Sequence, residues 1–148
     1  MIEILGDADH PFAIIIKSEH ERDGIEFLTP SHFSQQLGYM KRPKDHVIMP
    51  HTHNLLKREV HTTQEVLLIK SGVVRVDFYD LNQNYMESRL LRKGDVILLA
   101  DGGHGMKVLE ECEIIEVKQG PYAGDKDKQH FVPVNDGKVK INEALCNE

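Results

Sequence analysis

The chain alternates short apolar runs with turn-forming residues over most of its length. Residues 74–78 place apolar side chains at every second position, a period of two that indicates a half-buried strand. Val96–Ala100 is entirely apolar and lies between two turn-forming stretches, 93–95 and 102–103. Strands at spacings near ten residues, joined by short turns, are typical of an antiparallel sandwich or barrel. The pattern therefore predicts an all-β fold.

The same pattern predicts several other strands and their ends. We expect strands at 64–70, 85–91, 106–109 and 113–117, and a weak one at 138–141. Ser71-Gly72 is expected to end the first of these, and residues 81–84 to form a turn.

One short helix is expected before the barrel. Thr29-Pro-Ser31 offers side-chain oxygens and a proline suited to a first helical turn, so we predict a helix from His32 to Leu37 that ends at Gly38. The chain then reads as one domain in three parts. These are N-terminal strands and a short helix (1–45), a barrel core (46–120) and a C-terminal extension (121–148).

Composition narrows the class of protein. The 148 residues are 40% hydrophobic and 28% charged, which is ordinary for a globular domain. The net charge of -6 comes without a basic stretch, which argues against nucleic-acid binding. No apolar run is long enough to span a membrane, and Cys112 and Cys146 are too few for a disulfide framework. We therefore expect a cytoplasmic protein whose partner is a small-molecule substrate.

The histidines point to a metal site. Four of the nine fall between His46 and His61. In a strand, His51 and His53 would point to the same face, because alternate side chains share a face. Glu65 opens the next strand and His104 follows the Gly102-Gly103 turn, so antiparallel strands can bring all four together. Three imidazoles and one carboxylate suit one divalent Fe, Mn, Ni or Zn ion.

These residues resemble the two sequence motifs of the cupin superfamily. The resemblance lies in His51-x-His53, in Glu65 with six residues between it and Gly72, and in Gly94-Asp95 leading to Gly102-Gly103-His104. It covers roughly residues 46–120, and residues 117–128 also look like small bacterial cupins of unassigned activity. The resemblance implies a jelly-roll β-barrel that holds one metal ion inside, bound by His51, His53, Glu65 and His104.

The spacing leaves two alternatives for the first motif. Cupins usually have three or four residues between the second histidine and the glutamate, whereas eleven separate His53 from Glu65. Counting back from Glu65 by the usual gap reaches His61, with Glu59 in place of the first histidine. We favour His51 and His53, with an insertion in 54–63, because Pro50-His-x-His looks like the start of the motif.

The resemblance and the residues together suggest a function. We expect a metal-dependent enzyme, an isomerase or an oxygenase, that acts on a small sugar-like or oxo-acid substrate. His61 would be the general base and Arg58 would hold a carboxylate or phosphate. Two alternatives stay open: a metal-free sugar-nucleotide isomerase or epimerase, and a non-catalytic barrel that binds or senses a small ligand. Since cupins often pair through edge strands, we also expect a homodimer.

Overall fold

The computed structural model describes residues 1–142, which form one curled antiparallel sheet and a small two-stranded sheet. The prediction of a mostly β fold is confirmed. Cys146 lies outside the described residues. The eight strands are β1 (Ile2–Gly6), β2 (Pro11–Ile16), β3 (Gly24–Phe27), β4 (Gly38–Lys41), β5 (Glu65–Tyr79), β6 (Tyr85–Arg92), β7 (Val96–Leu99) and β8 (Gly103–Lys118).

Strand β5 is the centre of the main sheet. Its first residues pair with β7 and its last with β6, both on one side, while β8 runs along the whole of the other side. Beyond β7 the order continues to β2 and β1, and among residues 1–142 β3 pairs with β4 alone. The sheet curls into a half-barrel, and β8 forms one of its edges.

The concave face of the sheet carries the core. Alternate residues of the strands point into it, as the period of two predicts. Eleven buried side chains form this cluster: Leu5, Ala13, Ile15, Leu67, Ile69, Val74, Val76, Phe78, Leu91, Ile97 and Leu99.

Gly72 lies inside β5, so the prediction that a strand ends there is wrong. The pairing of β5 with β8 shifts register three times between Ile69 and Val74, and Gly72 adopts a φ of +77°. Such bulges bend a strand without ending it. The two strands predicted at 106–109 and 113–117 are likewise one bent strand, β8.

The predicted helix at 32–37 is absent, and this stretch forms turns instead. Its backbone is held by side chains: the Leu37 N–H donates to Thr29 Oγ1 at 3.1 Å, and the Gln36 amide donates to the carbonyls of Pro30 and Phe33, each at 3.0 Å. These local bonds compete with a helix for the same backbone groups. Leu28, Phe33 and Leu37 pack on the outer face of the sheet, against Ile14 and Leu98.

No strand forms through His51 and His53. Residues 42–63, called here the 42–63 segment, lack helix and strand, and all 22 are exposed. The strand in which these two histidines were expected to share a face is therefore not present in the described chain.

The C-terminal extension lies on the outside and is tied to β5. The Arg75 guanidinium donates to Asp77 at 2.8 Å and to Asp136 at 2.9 Å. The strand predicted at 138–141 is reduced to an isolated bridge between Ile141 and Ser88. Within residues 1–142 no helix is long and apolar enough to cross a membrane.

Candidate functional site

Glu65 is a buried carboxylate at the beginning of β5. It lies opposite Leu99 of β7 on one side and Lys118 of β8 on the other, and only 5% of its surface is exposed. A carboxylate this deeply buried is costly unless cations or hydrogen-bond donors surround it. Its neighbours therefore identify the chemistry of the site.

His104 reaches Glu65 through the glycine turn between β7 and β8. Gly102 has a φ of +70°, and a Cβ there would lie 2.6 Å from the Tyr79 carbonyl oxygen. The turn therefore requires glycine. It places His104 on the concave face, where its Nε2 donates to Glu65 Oε2 at 3.1 Å. Of the four predicted metal ligands, the structure brings these two together.

Two lysines approach the other oxygen of the same carboxylate. Lys128 Nζ lies 3.8 Å and Lys118 Nζ 3.9 Å from Glu65 Oε1. The hydrogen bond from His104 lowers the pKa of Glu65 below its ordinary value, against the opposing effect of burial, and the lysines add to the lowering. Glu65 is thus held as a carboxylate within a cluster of three cationic or hydrogen-bonding groups.

The pair lines a cavity of about 370 Å³ at the open side of the half-barrel. Other parts of its wall are Thr63, Met106, Asp127, Lys128, His130 and Phe131. Thr63 donates to Asp127 at 2.9 Å, which holds the C-terminal extension against the beginning of β5. The cavity is therefore built from β5, β8 and the extension together.

The other two expected metal ligands lie outside this cavity. His51 and His53 are in the exposed 42–63 segment, with their ring centroids 5.3 Å apart, and His51 Nδ1 donates to the Met49 carbonyl at 2.9 Å. Within residues 1–142 no three histidine, cysteine or carboxylate side chains are grouped for a metal ion. In this arrangement His51 and His53 lie apart from Glu65 and His104, and the neighbours of the Glu65 carboxylate are His104, Lys118 and Lys128.

The alternative pair, Glu59 and His61, lies at a different place. His61 Nε2 is 3.4 Å from Glu59 Oε1, and both line a separate cavity of about 300 Å³ that also contains His10 and His32. Arg58 is exposed and forms no ion pair within the described part of the chain. His61 and Arg58, the predicted catalytic residues, are therefore not found beside Glu65.

The lysines are site residues that the sequence analysis missed. Lys118 and Lys128 belong to the stretch 117–128, which the sequence singled out only as a whole. Their relation to Glu65 depends on the pairing of β8 with β5 and on the path of the C-terminal extension, neither of which is visible in sequence.

Comparison with protein-family profiles, with curated proteins and with solved structures yields no match for this chain.

Proposed function

We propose that the Glu65–His104 cavity binds a small anionic molecule and transfers a proton on it. The observation that carries this proposal is the 3.1 Å bond between a buried carboxylate and an imidazole, with two lysines near the same carboxylate and one of them, Lys128, in the cavity wall. A histidine oriented by a carboxylate is a common general acid–base unit in enzymes.

Glu65 would act by orienting His104. Because Nε2 donates to the carboxylate, Nδ1 is the ring nitrogen left to exchange a proton with a ligand. Burial of Glu65 keeps the pair in a medium where their attraction is stronger than in water. The carboxylate also stabilises the imidazolium that forms when His104 accepts a proton.

Of the two lysines, Lys128 would hold the ligand. Lys128 is about half exposed and borders the cavity, so its ammonium can contact Glu65 and a bound anion from the same position. A cavity of about 370 Å³ is within the ordinary range for small-molecule sites, on the order of 300 to 1,000 Å³. A carboxylate or phosphate on a sugar-like or oxo-acid molecule fits this size and charge.

The reaction class that uses these parts is proton abstraction next to a carbonyl, as in an isomerase or epimerase. His104 would remove the proton from carbon and return it to the same or a neighbouring carbon. Lys128 would stabilise the oxygen on which negative charge develops. No metal enters these steps.

The test is deuterium exchange in D₂O. Sugar phosphates and oxo acids that raise the melting temperature of the protein are incubated with it, and loss of their C–H signals is followed by proton NMR. We expect exchange with the native protein and a decrease of about 100-fold or more in His104→Ala, the usual contribution of a general base.

A matched pair of variants tests the lysine. Lys128→Ala should weaken ligand binding, whereas Lys126→Ala removes the same charge two residues away, outside the cavity wall, and should not. Equal effects of both variants, or exchange that persists in His104→Ala, would contradict the proposal.

A further inference from the structure

Strand β8 is a sheet edge with an uncovered apolar face. Within residues 1–142 it pairs with β5 alone. Met106 and Val108 lie opposite Val76 and Val74, which are fully buried in the core, and paired residues share a face. Yet Met106 is 46% and Val108 56% exposed. The core face therefore continues onto β8 and is left without a cover.

The 42–63 segment also carries apolar side chains that nothing covers in the described chain. Six large apolar side chains in it are exposed: Val47, Ile48, Met49, Leu55, Leu56 and Val60. Leu55 has no shielding at all, and residues 42–58 form no hydrogen bond or ion pair with any other part of the described chain. A connection this long without structure of its own is uncommon in a compact domain and is usually functional or a linker. Exposed apolar clusters mark interaction sites.

The charges of the two elements are opposite. The segment carries four basic and two acidic residues, with Lys57 and Arg58 directly after Leu55-Leu56. Strand β8 carries two lysines and four glutamates, three of them at Glu110, Glu111 and Glu113 in its middle. Electrostatic complementarity of this kind favours association and sets its orientation.

We propose that the 42–63 segment of one molecule docks as an added strand on the β8 edge of a second copy, and the reverse, in a twofold dimer. One molecule offers one edge and one segment, so a symmetric pair satisfies both at once. Residues 46–60 in extended form reach about 50 Å, enough to cross to a neighbouring molecule along β8. Pro50 is compatible with this, because the added strand would itself be an edge.

Docking would also complete the half-barrel. The added strand would cover Met106, which lines the cavity of Glu65 and His104, and would exclude water from its open side. The proposal does not depend on the reaction at that cavity, since it rests on the apolar and charged residues of the two elements.

The experiment measures the molar mass of the native protein and of two variants by light scattering. The native protein should have twice the chain mass of 16.9 kDa. Leu55→Asp/Leu56→Asp in the segment and Val108→Lys on the edge should each weaken dimerisation by about 30-fold or more. Leu81→Asp, at an exposed position in the β5–β6 turn, is the matched control and should stay dimeric.

Mixing the variants distinguishes exchange between molecules from docking within one. In a homodimer of either variant, both segment–edge contacts contain a substituted residue. In a mixed dimer of Leu55→Asp/Leu56→Asp with Val108→Lys, the native segment of one molecule meets the native β8 edge of the other, so one of the two contacts is native. We expect the mixture to form dimers that neither variant forms alone.

Folding of each variant is checked by circular dichroism, and hydrogen exchange of the native protein gives a second readout. Amides of 47–58 should exchange slowly in the dimer and fast after dilution. A monomeric native protein, a dimer that both variants retain, or a segment equally protected in a monomer would overturn the proposal.

Discussion

Asp95 shows how one side chain holds the turn between β6 and β7. It is 1% exposed and accepts hydrogen bonds from the backbone N–H groups of Ser18 at 2.8 Å and Arg92 at 2.9 Å, and from Lys17 Nζ at 2.5 Å. The carboxylate thus joins the end of β2 to the turn before β7. The sequence pattern predicts the turn, but not that Asp95 binds Lys17 and Ser18.

Replacing Asp95 with Ala should destabilise the protein by about 3 kcal/mol or more. The substitution leaves the Lys17 ammonium and two backbone N–H groups without their acceptor in a largely buried place. Urea unfolding measures the change, with Asp9→Ala, at an exposed carboxylate, as the control. A loss of less than about 1 kcal/mol would mean that water replaces the carboxylate there.

At the scale of elements, the bend in the β5–β8 ribbon decides the shape of the half-barrel. A Cβ at Gly72 would lie 2.1 Å from the Glu111 carbonyl oxygen, so the two strands approach each other more closely than any side chain allows. The sequence pattern identifies Gly72 as a break in the strand, but it predicts that the strand ends there. A turn and a bulge both use a glycine with positive φ, and only the pairing partner distinguishes them.

Gly72→Ala should therefore cost more than about 2 kcal/mol, because it combines backbone strain with a clash against backbone. Gly124→Ala is the matched control: its φ of +64° is similar, but nothing lies within 4 Å of the added carbon. That variant should lose only about 1 kcal/mol. Thermal unfolding of both measures the difference, and equal losses would show that the close approach at Glu111 is relieved by a small shift.

At the scale of the whole molecule, the four-ligand metal site and the acid–base site predict different effects of a chelator on deuterium exchange. We expect deuterium exchange to persist after treatment with a chelator, because His104 and two lysines already balance Glu65. The metal content of the native protein and of His51→Ala/His53→Ala is measured in parallel by elemental analysis. Exchange lost on chelation, with about one equivalent of metal present only in the native protein, would establish the four-ligand centre instead.

Sequence by itself determined the β character and most of the strand-forming stretches from 64 onward, though not where β5 and β8 begin and end. Both depend on local alternation of apolar and polar residues and on turn residues. Only the tertiary structure decided that β8 is one strand, that Lys118 and Lys128 lie near Glu65, and that residues 42–58 form no hydrogen bond or ion pair with the rest of residues 1–142. These facts depend on which strands pair and in what register, and the free energy that selects a register comes from burial across the whole sheet. A stretch of sequence specifies what a strand can bury, but the rest of the fold decides what covers it.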